Sequence, residues 1–426
     1  LCLRALGHNP INANVHLEDQ QMRHSCAPRS LSRAQASALL ITVLLLGLGL
    51  RLWFVLQVPP FVDEYISTLA FRAIVEQGVP RLPSGLIYAP KGLLHSYVGA
   101  LALWGLGPSD FALRLPSVIA GMLTLCCVYR AGRDWFSPAV GLWTATALAC
   151  LPAAIEWSGR ARMYAFLQLF ATAGVYLLTN GHASAYPTRT RVLEVLAMLL
   201  AILSHTLALI VLCAAIAGWA LSWWVSGGAA THPGDASHQR LWALRRPILS
   251  TGELLAWVFL CIAILALQPA QGPWGFGGRL AGTVEADRSA RFVVERAIYA
   301  LAFAWPFFAP PLWPLTILYV AGGINLLRRA IKRSPLDGDR VAWSLYGLSV
   351  CAWLATALVS RLYGDRYLYG ILPVYLVLAC REVQLLFHAA WAAVRPPVDR
   401  GGAPGQTRAV AVDTPLVTTS QDVSRT

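Results

Sequence analysis

Charge is scarce in this sequence. Only 13% of its 426 residues are Asp, Glu, Lys or Arg, about half the ~25% of soluble globular domains. Acids are the rarer kind, 21 against 34 basic residues, which leaves a net charge of +13. With 57% hydrophobic residues and a mean hydropathy of +0.55, too little polar surface remains to cover a water-soluble core. A soluble enzyme is excluded. The nine cysteines form no Cys-x-x-Cys pair and no His/Cys ligand spacing, so a zinc site or a disulfide framework is not indicated. Cys126, Cys127, Cys150, Cys213, Cys261, Cys351 and Cys380 all fall inside apolar runs and read as small buried residues. There is no internal repeat, and acids in mid-span are few, which disfavours the midplane ion sites of a transporter. No cleavable signal is evident either, because the first apolar run is of full span length and ends in Pro59-Pro60 instead of a small-residue cleavage site.

What the chain has in abundance is long apolar runs. Runs of about 20 residues cross a bilayer as helices, and their spacing predicts an all-α polytopic membrane protein of about ten spans. The basic residues lie in short loops between the runs, where they set topology and meet anionic lipid; a nucleic-acid partner is not expected. Arg23, Arg29 and Arg33 place the amino terminus in the cytoplasm, so the first span, Ala38 to Val58, delivers the chain to the outer face. Residues 1–36 are expected to be a disordered cytoplasmic leader, 37–394 the membrane domain and 395–426 a disordered cytoplasmic tail. The long loop from Phe61 to Asp110 holds an amphipathic stretch, Tyr65 to Glu76, and an apolar run, Gly92 to Gly105, too short for an unstrained crossing. That run is expected to re-enter or to lie in the interface. A single crossing is expected over Ala139 to Ile155, two short spans meeting near Ser204-His205, and a further apolar run at Leu254 to Leu267.

On this topology the polar residues gather at the outer face. Asp63 and Glu64 follow the first span directly, and carboxylates beside hydrocarbon call for a reason. With them come Tyr88 and Lys91, Glu156, Arg160, Arg162 and Tyr164, His205, and Arg361, Arg366 and Tyr367. A carboxylate among fixed cations suits transfer from a lipid phosphate. The base takes the proton of the acceptor, and the cations hold the anionic donor and the charge that grows on the departing phosphate. Arginine suits the second task because its planar fork donates two bonds at once. Asp63 and Glu64 are therefore the candidate catalytic pair, and the remaining nine residues other than Glu156 are candidates for substrate binding.

Asp63-Glu64, Tyr88-Ala89-Pro90-Lys91-Gly92-Leu93, Phe111-Ala112-Leu113-Arg114-Leu115-Pro116-Ser117, Arg160-Ala161-Arg162-Met163-Tyr164, Ser204-His205 and Arg366-Tyr367 recur in order. In that order the sequence resembles the GT-C glycosyltransferases of the protein mannosyltransferase and aminoarabinose transferase type. The resemblance implies a multispanning GT-C bundle with a long first extracytoplasmic loop, in the inner membrane of a cell with a lipid-linked envelope pathway. It implies an inverting enzyme that takes a sugar from a polyprenyl-phosphate carrier and passes it to a lipid, glycan or protein acceptor. It also implies that Asp63 is the base and that Lys91 sits near the lipid phosphate. Pro90 stands where relatives often carry an acid, and the Leu-Asp-Pro acid of some relatives is replaced by Arg162-Met163-Tyr164. No cofactor is therefore named with certainty, and a divalent metal is left open. The alternative reading is a polytopic transporter or lipid flippase.

Overall fold

A computed structural model describes residues 32–88, 92–180, 187–227, 290–308, 312–332, 334–336, 338–359 and 365–394. Among these the regular structure is almost entirely helical. Ser32 caps the first helix, α1 (Arg33–Gln57), and Gln35 returns the bond to the Ser32 amide, so the helix begins four residues inside the segment expected to be leader. Pro59 and Pro60 end it. α2 (Val62–Gln77) stops at Gly78, whose φ of 77° lies in the left-handed region that favours glycine. α3 (Leu93–Leu106) is the short apolar helix. Ser109 caps α4 (Asp110–Trp135) by accepting from the Ala112 amide, and Pro116 lies inside the helix, where it offers no N–H to the Ala112 carbonyl.

The crossing expected over Ala139 to Ile155 is instead broken. Pro152 cannot donate to the preceding turn, so the chain forms α5 (Pro138–Cys150) and α6 (Pro152–Gly159), bent by 65° at Leu151. α7 (Tyr164–Asn180) follows. α8 (Pro187–Ser204) and α9 (Ala208–Gly227) meet at His205, as the sequence predicts. The run at Leu254 to Leu267 and the polar tail lie outside the described residues. α10 (Ala290–Phe308), α11 (Trp313–Ile331) and α12 (Asp339–Val359) come next, and a 3-10 turn, Asp365–Ile371, leads into α13 (Leu372–Val394).

Among the described residues four helices are long and apolar enough to span a membrane: α1, α4, α12 and the turn with α13. The bent pair α5–α6 makes a fifth, and α3 and the first part of α9 are shorter apolar helices. This count covers the described residues alone, and the apolar run at Leu254 to Leu267 that belongs to the expected ten lies outside them. Only a small part of α1 is buried, and Leu45, Trp53 and Leu56 face outward on it, whereas α13 is enclosed on most sides. The core therefore lies around α4, α5, α7 and α13, with Leu125, Leu148, Leu167 and Leu376 fully buried. A second cluster, with Trp135, Phe303, Leu326 and Leu345, joins the later helices to it. Away from the candidate site, buried Asp339 accepts from Arg329 at 2.9 Å and from Arg381, which ties α11, α12 and α13 together at one end.

Candidate active site

The acidic pair divides its labour by one residue of helix phase. Glu64 is at the third position of α2, where its carboxylate reaches back to the Phe61 amide at 2.7 Å and covers one of the orphan donors of the helix start. It also accepts from Arg114 Nε and Nη2, both at 2.9 Å, and from the Ala161 amide at 2.7 Å. Four donors saturate a carboxylate. Arg114 is buried in α4 and spends its remaining nitrogen on the carbonyls of Val55 and Val58, at 3.0 and 2.7 Å, so it clasps the end of α1 as well. Burial by itself would raise the Glu64 carboxyl, but the bonds from Arg114 and the two amides outweigh it and hold the group below its ordinary value. A lowered folded value means that its stabilisation is complete above the ordinary carboxylate range and is lost as pH falls through the lowered value. Amide-exchange protection at Phe61 and Ala161 should therefore persist at pH ~4, near the value for an unperturbed glutamate, and fall only in stronger acid. Loss of that protection already at pH ~5 would contradict the assignment.

Asp63 points the other way. Its side chain is 24% exposed and stands 3.5 Å from Arg162 Nη2 and 3.4 Å from Arg366 Nη1. Both separations are longer than an ordinary charged hydrogen bond of about 2.7 to 2.9 Å. Its backbone carbonyl, by contrast, is held at 2.8 Å by Arg162 Nη1. That same nitrogen reaches Ser67 Oγ and the Tyr88 hydroxyl, each at 3.2 Å. Arg162 is buried, and its Nε has no hydrogen-bond partner among the described residues. Arg366 enters from the 3-10 turn and lies over the Trp157 and Tyr367 rings, 5.8 Å from each centroid. Arg160 is paired with Glu156 at 2.9 Å and lies 3.7 Å from Glu64, stacked over Phe61. Tyr164 packs edge-on against Trp157 and face-on against His205, whose Nδ1 accepts from the Leu207 amide at 3.0 Å. His205 thus joins the cluster through the Tyr164 ring.

Of the candidates read from the sequence, Asp63, Glu64, Tyr88, Arg160, Arg162, Tyr164, His205, Arg366 and Tyr367 come together. Lys91 and Arg361 lie outside the described residues. Two partners carry more than the sequence assigned to them. Arg114 was legible only as part of a motif, although a charge inside an apolar run is itself a flag. Trp157, which packs against both Tyr164 and Arg366, gave no signal beyond its place beside Glu156.

The ion pairs join three carboxylates, Asp63, Glu64 and Glu156, to four guanidiniums, Arg114, Arg160, Arg162 and Arg366. Counted over those residues the cluster is cationic by one. Among the described residues no group of three or more His, Cys, Asp or Glu could hold a metal ion. The donor set fits a dication poorly for a chemical reason too: Glu64 has no free lone pair, and the charges of Arg162 and Arg366 already stand beside Asp63. A cavity of about 680 Å³ is lined by Glu64, Tyr65, Arg72, Asp110, Arg114 and Ala161 among others, and Asp63 is not part of its lining.

Residues 90–227 match the family described as dolichyl-phosphate-mannose-protein mannosyltransferase. That stretch includes Lys91, Arg160, Arg162, Tyr164 and His205 but not the acidic pair. No curated protein matches the chain in sequence. Among solved structures, the fold is similar to that of ArnT from Cupriavidus metallidurans bound to undecaprenyl phosphate. The TM-score is 0.54 at 16% identity, over 84% of this chain and 61% of that one. It is also similar to the archaeal oligosaccharyltransferase AglB from Archaeoglobus fulgidus, in complex with an inhibitory peptide and a dolichol-phosphate. There the TM-score is 0.52 at 16% identity, over 85% of this chain and 52% of that one. The chain spans less than two thirds of the length of these relatives. It is an integral membrane protein that shares its fold with ArnT and AglB, and about a third of it carries the sequence pattern of the mannosyltransferase family.

Proposed function

We propose that this protein transfers a sugar from a polyprenyl-phosphate carrier to an envelope lipid, glycan or protein on the extracytoplasmic face of the inner membrane. The observation that carries this reading is the contrast within the acidic pair. Glu64 is fully bonded, whereas Asp63 is partly exposed and only loosely engaged by two arginines. A group meant to take up a proton needs an open lone pair, and Asp63 has one. Arg162 and Arg366 flank it as a phosphate clamp, and the orphaned Nε of Arg162 is a buried donor that an anionic oxygen would satisfy.

The chemistry balances without a further reactant. The acceptor hydroxyl gives its proton to the Asp63 carboxylate as its oxygen attacks the anomeric carbon from the face opposite the phosphate. The bond between that carbon and the phosphate oxygen breaks, and the electron pair leaves with the phosphate. Arg162 and Arg366 stabilise the charge that appears there. Configuration at the anomeric carbon inverts. Glu64 touches none of the reacting atoms on this account; it holds Arg114, Phe61 and Ala161 so that Asp63 and Arg162 meet.

The likeness to ArnT and AglB, each solved with a polyprenyl-type phosphate, supports the donor class. The test is binding of undecaprenyl phosphate to the purified chain in nanodiscs. Arg162→Ala and Arg366→Ala should each weaken it by about 10- to 150-fold, the equivalent of a charge-assisted bond of about 1.5 to 3 kcal/mol. Wild-type affinity in both variants would remove the phosphate site.

A further inference from the structure

Arg51 is 1% exposed in the second half of an apolar span, yet it belongs to none of the ion pairs around Asp63. Its Nη1 donates to the carbonyls of Gly47 at 3.0 Å and Ala149 at 3.4 Å, and its Nη2 to that of Leu148 at 3.5 Å. Leu148 and Ala149 form the last turn of α5, at the break. The Leu148 carbonyl would ordinarily bond the amide four residues on, but that residue is Pro152, which has none. Leu151, with φ −69° and ψ 124°, has left the helix, so the turn after Ala149 is out of line too. Hydrocarbon offers no water to repair such a gap. A guanidinium repairs it and also meets the negative end of the α5 dipole.

The neighbouring helices make room for this cation. A Cβ on Gly121 of α4 would stand 3.1 Å from Arg51 Nε and 2.5 Å from the Ser158 Cβ, inside contact distance. Three residues along the same face of α1, Phe54 packs beneath Gly159, where a Cβ would lie 2.4 Å from the ring. Arg51 thus holds the last turn of α5 and Phe54 the far end of α6, and Arg160, the next residue, stacks over Phe54 at 5.5 Å. We infer that Arg51 is a positioning residue for the outer site: it supplies the donor that Pro152 lacks, fixes the bend at Leu151, and so sets where α6 delivers Trp157, Arg160 and Arg162. Its effect on donor lipid rests on the reading above, whereas its effect on the bend does not.

The experiment compares Arg51→Met and Arg51→Lys with wild type, on the full chain in nanodiscs, by amide exchange and by affinity for undecaprenyl phosphate. Arg51→Met should speed exchange over 153–162 and leave 372–394 unchanged, and should weaken binding by about 10- to 100-fold, the scale of a small misplacement of a site. Arg51→Lys, which keeps the charge and some of the bonds, should recover most of both. Wild-type exchange over 153–162 in Arg51→Met overturns the inference, as does a rise spread equally over 372–394, which would make Arg51 a general core residue. If Arg51→Met does not yield folded protein, Arg51→Gln, which lacks the fork that reaches Gly47, Leu148 and Ala149 together, takes its place: a rise confined to 153–162 supports the inference, and a wild-type profile overturns it. Failure of wild-type protein to bind undecaprenyl phosphate would count against the proposed donor and leave the exchange result to decide the role of Arg51.

Discussion

Asp63→Asn should lower sugar transfer by about 10²- to 10⁴-fold, the usual contribution of a positioned base, while the protein still inserts and still binds undecaprenyl phosphate. The asparagine keeps the size of the side chain and can still accept from Arg162 and Arg366, but it cannot take a proton from the acceptor. Nothing structural hangs on the Asp63 carboxylate: the bond that fixes α2 against Arg162 uses the Asp63 main-chain carbonyl, at 2.8 Å, which the substitution leaves in place. The measurement is turnover with a saturating acceptor, on protein whose thermal unfolding matches wild type. Turnover within about threefold of wild type, well short of a general-base loss, would sink the base assignment and turn attention to Glu156, the other exposed acid of the cluster.

The neighbouring acid should behave in the opposite way. Glu64→Leu and Arg114→Met are each expected to destabilise the fold by about 3 to 5 kcal/mol, because each strands a buried charge whose partner was removed. The side chains are only 2% and 4% exposed, so solvent cannot take over. The pair replaced together, Glu64→Leu with Arg114→Met, should regain part of the loss, since apolar residues can substitute for a buried ion pair. Recovery should stay incomplete, because the amides of Phe61 and Ala161 and the carbonyls of Val55 and Val58 would then lack partners. Unfolding midpoints of the four proteins in one detergent form a double-mutant cycle. Single-variant losses no larger than the ~1 kcal/mol of a surface pair would show that Glu64 is not the hub described here.

These two outcomes also mark how far the sequence could be read. Asp63 and Glu64 are adjacent, equally acidic and equally close to the first span, so no pattern in the chain separates a base from a buried strut. The separation comes from helix phase: one residue is about 100° of turn, which aims Glu64 at Arg114 on α4 and Asp63 at the open site. Arg160 and Arg162 differ in the same manner. Arg160 is taken up by Glu156 and two aromatic rings, and Arg162 keeps a donor to spare.

The sequence by itself determined the medium and the class of fold, because apolar runs of span length with so few charges have only a helical solution in a bilayer. It determined which residues could do polar chemistry, since so few of them are available, and the breaks at Pro59-Pro60 and near His205. Tertiary structure decided what each of those residues does. A crossing from Ala139 to Ile155 looks continuous by hydropathy, but Pro152 frees the Leu148 carbonyl, which accepts instead from Arg51, 97 residues away in the chain. Contacts of that range depend on which helix faces meet, and hydrophobic periodicity does not encode facing in a helix that is apolar all round.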